Sequence, residues 1–322
     1  MKTDFVSVII PTRNRRDMLC RCIRSVLASD WKKIEVIVVD DCSTDGSDRA
    51  AAERFRDEPR VRFVRNRRNS LSAHSRNHGV QYADGEFILF LDDDNEVERD
   101  MITELVAGFK RHPDAGMIAP LTVHWVKDGR RIIWTLGSEW NPWTSRFRER
   151  YPGALSTDAL PNGEGDYPII ASPNAFMVTR ATFDLVGGLD EGYGMQFDDT
   201  DFGMRITVLA KLPGFITTKA QTRHFGYLDP NTTPQLRCLS IGFPKRAYTF
   251  ARNRMKFSRR FSTFPQSLFV CLFLCPVFAL YYCAIALKHR RLDIALAYLL
   301  GTIAGQLGLY RDIRFHPPYP ES

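Results

Sequence analysis

No glycine follows the first apolar run of this chain: after Val6 to Ile10 (VSVII) comes Pro11 to Arg16, PTRNRR. A dinucleotide turn needs GxGxxG at that point, and a phosphate-cradling loop needs glycines and a lysine, so neither is expected here. Cysteine is present without a pattern. Cys20, Cys22, Cys42, Cys238, Cys271, Cys275 and Cys283 make an odd set of 7, with no CxxC and no zinc-like Cys/His spacing. That excludes a disulfide framework and argues against structural zinc. Internal repeats and low-complexity tracts are also missing. The N-terminus, MKTDFVSVII, has too short an apolar run for a secretory segment, so the N-terminal part is expected on the cytoplasmic side. Acids are absent from Lys245 to Arg260 (KRAYTFARNRMKFSRR), while they concentrate at 40–48, 92–100 and 190–201. The net charge of +7 is therefore regional, and its place beside an apolar segment points to a lipid surface rather than nucleic acid.

What is present suits a large α/β domain with an appendage: 322 residues, 44% hydrophobic and 25% charged. Val6 to Ile10, Glu35 to Val39, Val61 to Val64 and Phe87 to Leu91 read as strands, each ending in turn chemistry. Leu19, Cys22, Ile23, Val26 and Leu27 follow the i, i+3, i+4, i+7, i+8 rule, which predicts a helix with one buried stripe. Further helices are expected after Gly46 and Ser72. The alternation predicts a mainly parallel mixed sheet with helices on its faces. From Gly137 to Pro168 a long irregular loop is expected. Leu268 to Leu287 carries no charge over a length that can cross a membrane, and Ile294 to Leu309 is a weaker apolar segment. The basic turn Lys288 to Arg291 between them conflicts with two full spans, so a tilted or interfacial hairpin is an equal reading. The expected division is 1–235, a basic amphipathic connector 236–265, and a hydrophobic helical segment 266–322.

The most informative stretch is Phe87 to Asn95, FILFLDDDN, where five apolar residues run into Asp92, Asp93 and Asp94. Carboxylates at the C-terminal end of a buried strand lie where α/β folds bind ligands. Two such charges 4 Å apart repel by ~4 kcal/mol at an effective dielectric of 20, so the cluster invites a divalent cation. By itself the triplet is equally compatible with capping the next helix. Pro11, Thr12 and Arg13 after the first strand, and Asp40 to Ser47 after the second, would face the same crevice. There an Asp can accept from the imide N–H of a uracil. Arg76, on a helix, can reach a diphosphate with its fork. In FDDTDF, Asp198 or Asp199 can take a proton from an incoming hydroxyl. His224 can complete a metal shell, and Trp134, Trp140 and Trp143 can stack on a sugar or pack in the core.

Taken in order, VSVIIPTRN, EVIVVDDCSTDGS, LSAHSRNHGVQYADGEFILFLDDD, PNAFMVTRATFDLVGGLDEGYG and FDDTDFGMRI resemble the family 2 glycosyltransferases of GT-A fold, across roughly residues 5–230. The resemblance implies a nucleotide-diphosphate-sugar donor, UDP-linked by preference, and a glycan or lipid-linked acceptor. It also implies a Mn²⁺ or Mg²⁺ ion and inversion at the anomeric carbon. By position, Pro11, Thr12, Asp41 and Asp93 are similar to the nucleoside contacts. Asp94, with Asp92, is similar to the metal carboxylates, Asp199 to the catalytic base, and His224 to the metal-ligating His of some members. Three positions depart from the pattern: Arg13 stands where an aromatic is common, Cys42 where Gly is common, and Asp198-Asp199 where Glu-Asp is frequent. The rival readings are a sugar-phosphate nucleotidyltransferase and an inert, membrane-docked nucleotide-sugar binder.

Overall fold

A computed structural model describes residues 2–125, 131–153, 160, 163–225, 236 and 239–310. The chain divides into two compact units. Unit 1 comprises Met1–Glu139, Glu149–Leu189 and Asp199–Tyr227; unit 2 comprises Trp140–Arg148, Asp190–Asp198 and Leu228–Ser322.

Unit 1 opens with β1 (Lys2–Thr12), α1 (Arg16–Leu27), β2 (Ile34–Asp40), α2 (Ser47–Arg54), β3 (Val61–Arg65), α3 (Leu71–Val80) and β4 (Gly85–Leu91). It continues through β5 (Asn95–Val97), α4 (Met101–Arg111), β6 (Met117–Trp125) and β7 (Arg131–Ile133). The expected loop at 137–168 instead contains a two-stranded hairpin, β8 (Ser138–Asn141) and β9 (Arg146–Glu149), whose residues Trp140–Arg148 are counted in unit 2. After it come β10 (Asp166–Ile169), β11 (Ala175–Thr179), α5 (Arg180–Val186), α6 (Asp198–Met204) and β12 (Gly214–His224).

The main sheet runs β10-β12-β6-β11-β4-β1-β2-β3, with β5 on β12 and β7 on β6. The pairs β1/β2, β1/β4, β2/β3 and β6/β12 are parallel, and β11 runs antiparallel to both β4 and β6. Six strands (β1, β2, β3, β4, β6 and β12) thus point one way, which is the mainly parallel α/β sheet expected. Alternation along the strands divides the core in two, since successive side chains face opposite sides. Val6, Val8, Ile10, Leu89 and Leu91 meet the α1 stripe of Leu19, Cys22, Ile23 and Val26, together with Leu105 of α4. Ile9, Ile37, Ile88 and Phe90 meet Ala73 and Val80 of α3 and Phe202 of α6. Each such fully buried aliphatic or aromatic side chain contributes about 1.5–3 kcal/mol. Both faces are therefore occupied, and the ligand-accessible part is the strand-end edge.

Between residues 244 and 306 unit 2 carries three helices, α7 (Pro244–Phe261), α8 (Phe264–Lys288) and α9 (Leu292–Gln306). The basic run 245–260 becomes α7, which buries rather than solvates several of its charges. Arg252 is fully buried and donates to the carbonyls of Gly192 and Tyr193, both at 2.9 Å. Asn253 donates to those of Tyr193 and Met195 at 2.8 and 2.7 Å. Lys256 and Arg260 both clasp Asp190 at 2.8 Å. Trp140 packs edge-on against Phe257 of α7, and Trp143 is half exposed. A π-turn at Val270–Leu274 precedes Pro276 in α8, where the missing N–H breaks the regular ladder. Gly301 lets α9 lie directly on α7, since a Cβ there would sit 2.2 Å from the Tyr248 carbonyl oxygen.

Candidate active site

The C-terminal ends of β1, β2 and β4 carry Pro11-Thr12, Asp40-Asp41 and Asp92 to Asp94, and the β1/β4 pairing sets Thr12 beside the aspartates. Thr12 Oγ1 donates to Asp93 at 2.7 Å, and Arg15 Nη1 reaches Asp93 at 2.9 Å and Asp94 at 3.4 Å. Arg76, buried on α3, donates to Asp92 at 2.7 Å. His224, at the last position of β12, places Nε2 3.3 Å from Asp94 Oδ1. Its ring stacks on Trp134 with 5.3 Å between centroids, and its carbonyl faces His124 Nδ1 at 3.0 Å. The ends of β1, β4 and β12, the loop before α1, and α3 thus gather five charged side chains, an imidazole and a hydroxyl from across the sequence.

Electrostatics separates the three aspartates. Burial pushes the Asp93 carboxyl up to about 6, although Arg15 and the Thr12 hydroxyl oppose the shift. Burial likewise raises Asp92, against Arg76. At Asp94 burial acts in the same direction, but His224 and Arg15 outweigh it and the net shift is downward. Burial disfavours the His224 imidazolium, yet Asp94 and Asp92 win and its pKa rises. Asp94 is therefore the carboxylate held ionised, and His224 is its partner.

Among the described residues no group of three His, Cys, Asp or Glu side chains is drawn together tightly enough to hold an ion by itself. Asp92 is turned to Arg76 instead of joining Asp94. The remaining pair nonetheless fits a divalent ion. Asp94 Oδ1 is buried without a hydrogen bond among the described residues and faces His224 Nε2 at 3.3 Å. Magnesium-type sites commonly use one or two protein carboxylates and complete the shell with substrate phosphates and water.

The second strand end divides its labour differently from the expected base readout. Asp41 accepts from Asn66 Nδ2 at 2.8 Å and from the backbone N–H groups of Ser70 and Leu71 at 2.7 and 2.8 Å. Three of its roughly four lone-pair directions are thus occupied, two by the backbone entering α3 and one by Asn66. Asp40 accepts from the Ser43 N–H at 3.0 Å. Arg13 Nη1 donates to the Asp41 carbonyl at 3.2 Å. Cys42, standing where Gly is common in the family, has φ 62°, the left-handed conformation that Gly adopts without strain.

Tertiary packing ties Asp199 to the segment that precedes β11. Gly203 of α6 lies against Ala171 and Ser172, where a Cβ would be 2.2 Å from the Ser172 N. Ser172 Oγ donates to the Asp199 carbonyl. The pairing of Ala175 with Leu91 carries the segment just before β11 alongside the segment just after β4, and Asn174 Nδ2 bonds Asn95 Oδ1 at 3.1 Å. Asp199 is half-buried, with Oδ1 taking the Thr200 N–H at 2.6 Å. Asp198 is buried and belongs to unit 2. Asp201 is fully buried and bound to Arg205 at 2.8 Å. Arg15, His124 and Asn174 were not singled out from the sequence. Arg15 had a signal, an arginine-rich loop directly after a strand whose neighbour ends in acids; His124 had none.

A mixed α/β sheet with acidic strand ends gathered at one edge is the architecture of a GT-A-like fold. Residues 7–160 match the family model Glycosyl transferase family 2. It is 37% identical over 93 residues to the GalNAc(5)-diNAcBac-PP-undecaprenol beta-1,3-glucosyltransferase of Campylobacter jejuni, covering 29% of this chain and 30% of that protein. A glycosyltransferase of Haemophilus influenzae is 27% identical over 204 residues, 62% of this chain and 61% of that one. The match spans 33%, 30% and 34% of the length of three of the curated relatives. Among solved structures, GalNAc-T7 with UDP, GalNAc and Mn²⁺ shares the fold at TM-score 0.59 and 17% identity, over 86% of this chain and 58% of that one.

Proposed function

We propose that this protein is an inverting, metal-dependent glycosyltransferase that moves a sugar from a nucleotide-diphosphate donor to a hydroxyl of a glycan or lipid-linked acceptor. The observation that carries the reading is the Asp94–His224 pair, drawn together at 3.3 Å from the ends of β4 and β12. Asp94 and His224 would hold the divalent ion together with the donor diphosphate, and when bound it stabilises charge on the departing nucleoside diphosphate. Arg76 and Arg15 hold Asp92 and Asp93 in place and present positive charge toward the same edge. Asp199 removes the acceptor hydroxyl proton as that oxygen attacks the anomeric carbon from the face opposite the leaving group. One base suffices, because a nucleoside diphosphate leaves without protonation by a second carboxyl group. Trp134, 37% exposed and stacked on His224, offers a face for a sugar ring. The UDP and GalNAc of the structural relative support a UDP-linked donor.

The apolar helix α8 spans 25 residues with mean hydropathy 2.4 and is long enough to cross a membrane. Together with α9 it supports docking at a membrane surface, with the catalytic unit on the cytoplasmic side. The deciding experiment screens UDP-, GDP- and dTDP-sugars for Mn²⁺- or Mg²⁺-dependent release of the nucleoside diphosphate. Release with one donor, lost on chelation, supports the reading. No release with any donor, with donor binding intact, would instead identify an inert binder.

A further inference from the structure

A cleft of about 410 Å³ lies between α1 and α2, lined by Arg16, Asp17, Cys20, Arg21, Arg24 and Arg54 together with Ala50. Four guanidinium groups meet one carboxylate there. Several arginines of this unit pair with acids: Arg56 with Glu53 at 2.8 Å, Arg60 with Glu58 at 2.8 Å, and Arg111 with Asp166 at 2.8 Å. In the cleft, Arg16 holds Asp17 at 3.3 Å, and Arg21 lies 4.7 Å over the Phe225 ring. Arg24 and Arg54 form no ion pair with any described residue. Burial raises the pKa of the Cys20 thiol while the nearby positive charges of Arg54 and Arg24 oppose it. Along α1, Arg16 and Arg24 are separated by about 12 Å of helix rise. The arginine stems, Ala50 and Cys20 supply an apolar lining, with the charged heads at the rim.

We propose that this cleft binds a phosphate-bearing anion, at a site separate from the donor-binding edge. Four like charges against a single carboxylate in one concavity are stabilised by an incoming anion, and guanidinium forks match phosphate oxygens in pairs. The volume falls in the range of small-molecule sites, enough for a phosphorylated metabolite or a phospholipid headgroup. Either source presents the same chemistry.

The test compares the full chain in detergent with Arg24→Gln/Arg54→Gln. Both positions are exposed and neither is among the residues assigned to the proposed chemistry, so metal-dependent nucleotide release should be unchanged; this separates a failure of this site from a failure of the transfer reading. Calorimetry with inorganic pyrophosphate in EDTA, which removes any metal-held diphosphate, should show affinity falling at least ~10-fold in the variant. Co-sedimentation with phosphatidylglycerol against phosphatidylcholine vesicles forms the second arm. Loss of pyrophosphate binding identifies a free phosphate ligand, and loss confined to phosphatidylglycerol identifies a headgroup. If the variant matches the parent chain in both arms, the proposal is overturned.

Discussion

Replacing Arg205 by Ala tests how the acidic stretch 198–201 divides between architecture and chemistry. Asp201 is fully buried, and Arg205, only 14% exposed, reaches its Oδ2 at 2.8 Å. The same guanidinium donates to the carbonyls of Val186 and Gly188 and lies over Phe202 at 5.4 Å. Removing it leaves a carboxylate in the core and takes a donor from two carbonyls. Breaking a buried pair from one side costs about 3–5 kcal/mol. At about 2–4 °C per kcal/mol for a chain of this size, Tm should fall by roughly 6–20 °C. Asp199→Asn is the matched control. Asp199 Oδ1 accepts from the Thr200 backbone N–H and hydroxyl, and an amide oxygen keeps both bonds, so stability should change by no more than about 0.5 kcal/mol. The assay is calorimetric and urea unfolding of the full chain in detergent. A fall of less than about 2 °C for Arg205→Ala, or equal losses in the two variants, would refute the assignment of Asp201 to the core.

Asp199→Asn should lower transfer at least ~100-fold while donor affinity by calorimetry stays nearly intact; unchanged turnover would remove it as the base. Asp94→Asn should abolish Mn²⁺-dependent donor binding, and a variant that keeps the same metal dependence would show that the ion sits elsewhere. At Asp166 burial raises the pKa, but Arg111, Thr217 and His112 outweigh it and hold it down at about 2, from 3.8. This depressed pKa stabilises the fold above the ordinary value, and the contribution is lost as pH falls toward about 2. Asp166→Asn should therefore remove ~1 kcal/mol of stability near neutral pH and progressively less under acid, read as urea midpoints from about pH 6 to about pH 3. Gly301→Leu should push α9 off α7, because the added Cβ would meet the Tyr248 carbonyl; faster limited proteolysis within α9 is the readout, and an unaltered pattern would contradict the packing.

Much of the architecture was legible because it is local. The α1 stripe, the four strands before Asp92 and the apolar segment at 268–287 all follow from short-range periodicity, and each element lies where that periodicity puts it. The hairpin inside 137–168 was not legible, since its strands are short and their partners are set by pairing instead of pattern. At the site, Asp94 and His224 stood out as residue types, whereas Arg15 looked like any loop arginine until the β1/β4 pairing set it against two aspartates. Asp41 shows the converse. An acidic residue after a strand reads as a ligand contact, yet its oxygens are largely spent on the backbone entering α3.

The sequence by itself determined a two-faced sheet whose strands end in carboxylates, because side-chain alternation and the change from apolar to acidic residues are written within a few neighbouring positions. Tertiary structure decided which carboxylate does what: Asp94 with His224, Asp92 with Arg76, Asp93 with Thr12 and Arg15, Asp201 with Arg205. The physical reason is that these pairings depend on strand register and on close approach at Gly203, which bring distant residues within hydrogen-bond reach, and no local pattern encodes that distance.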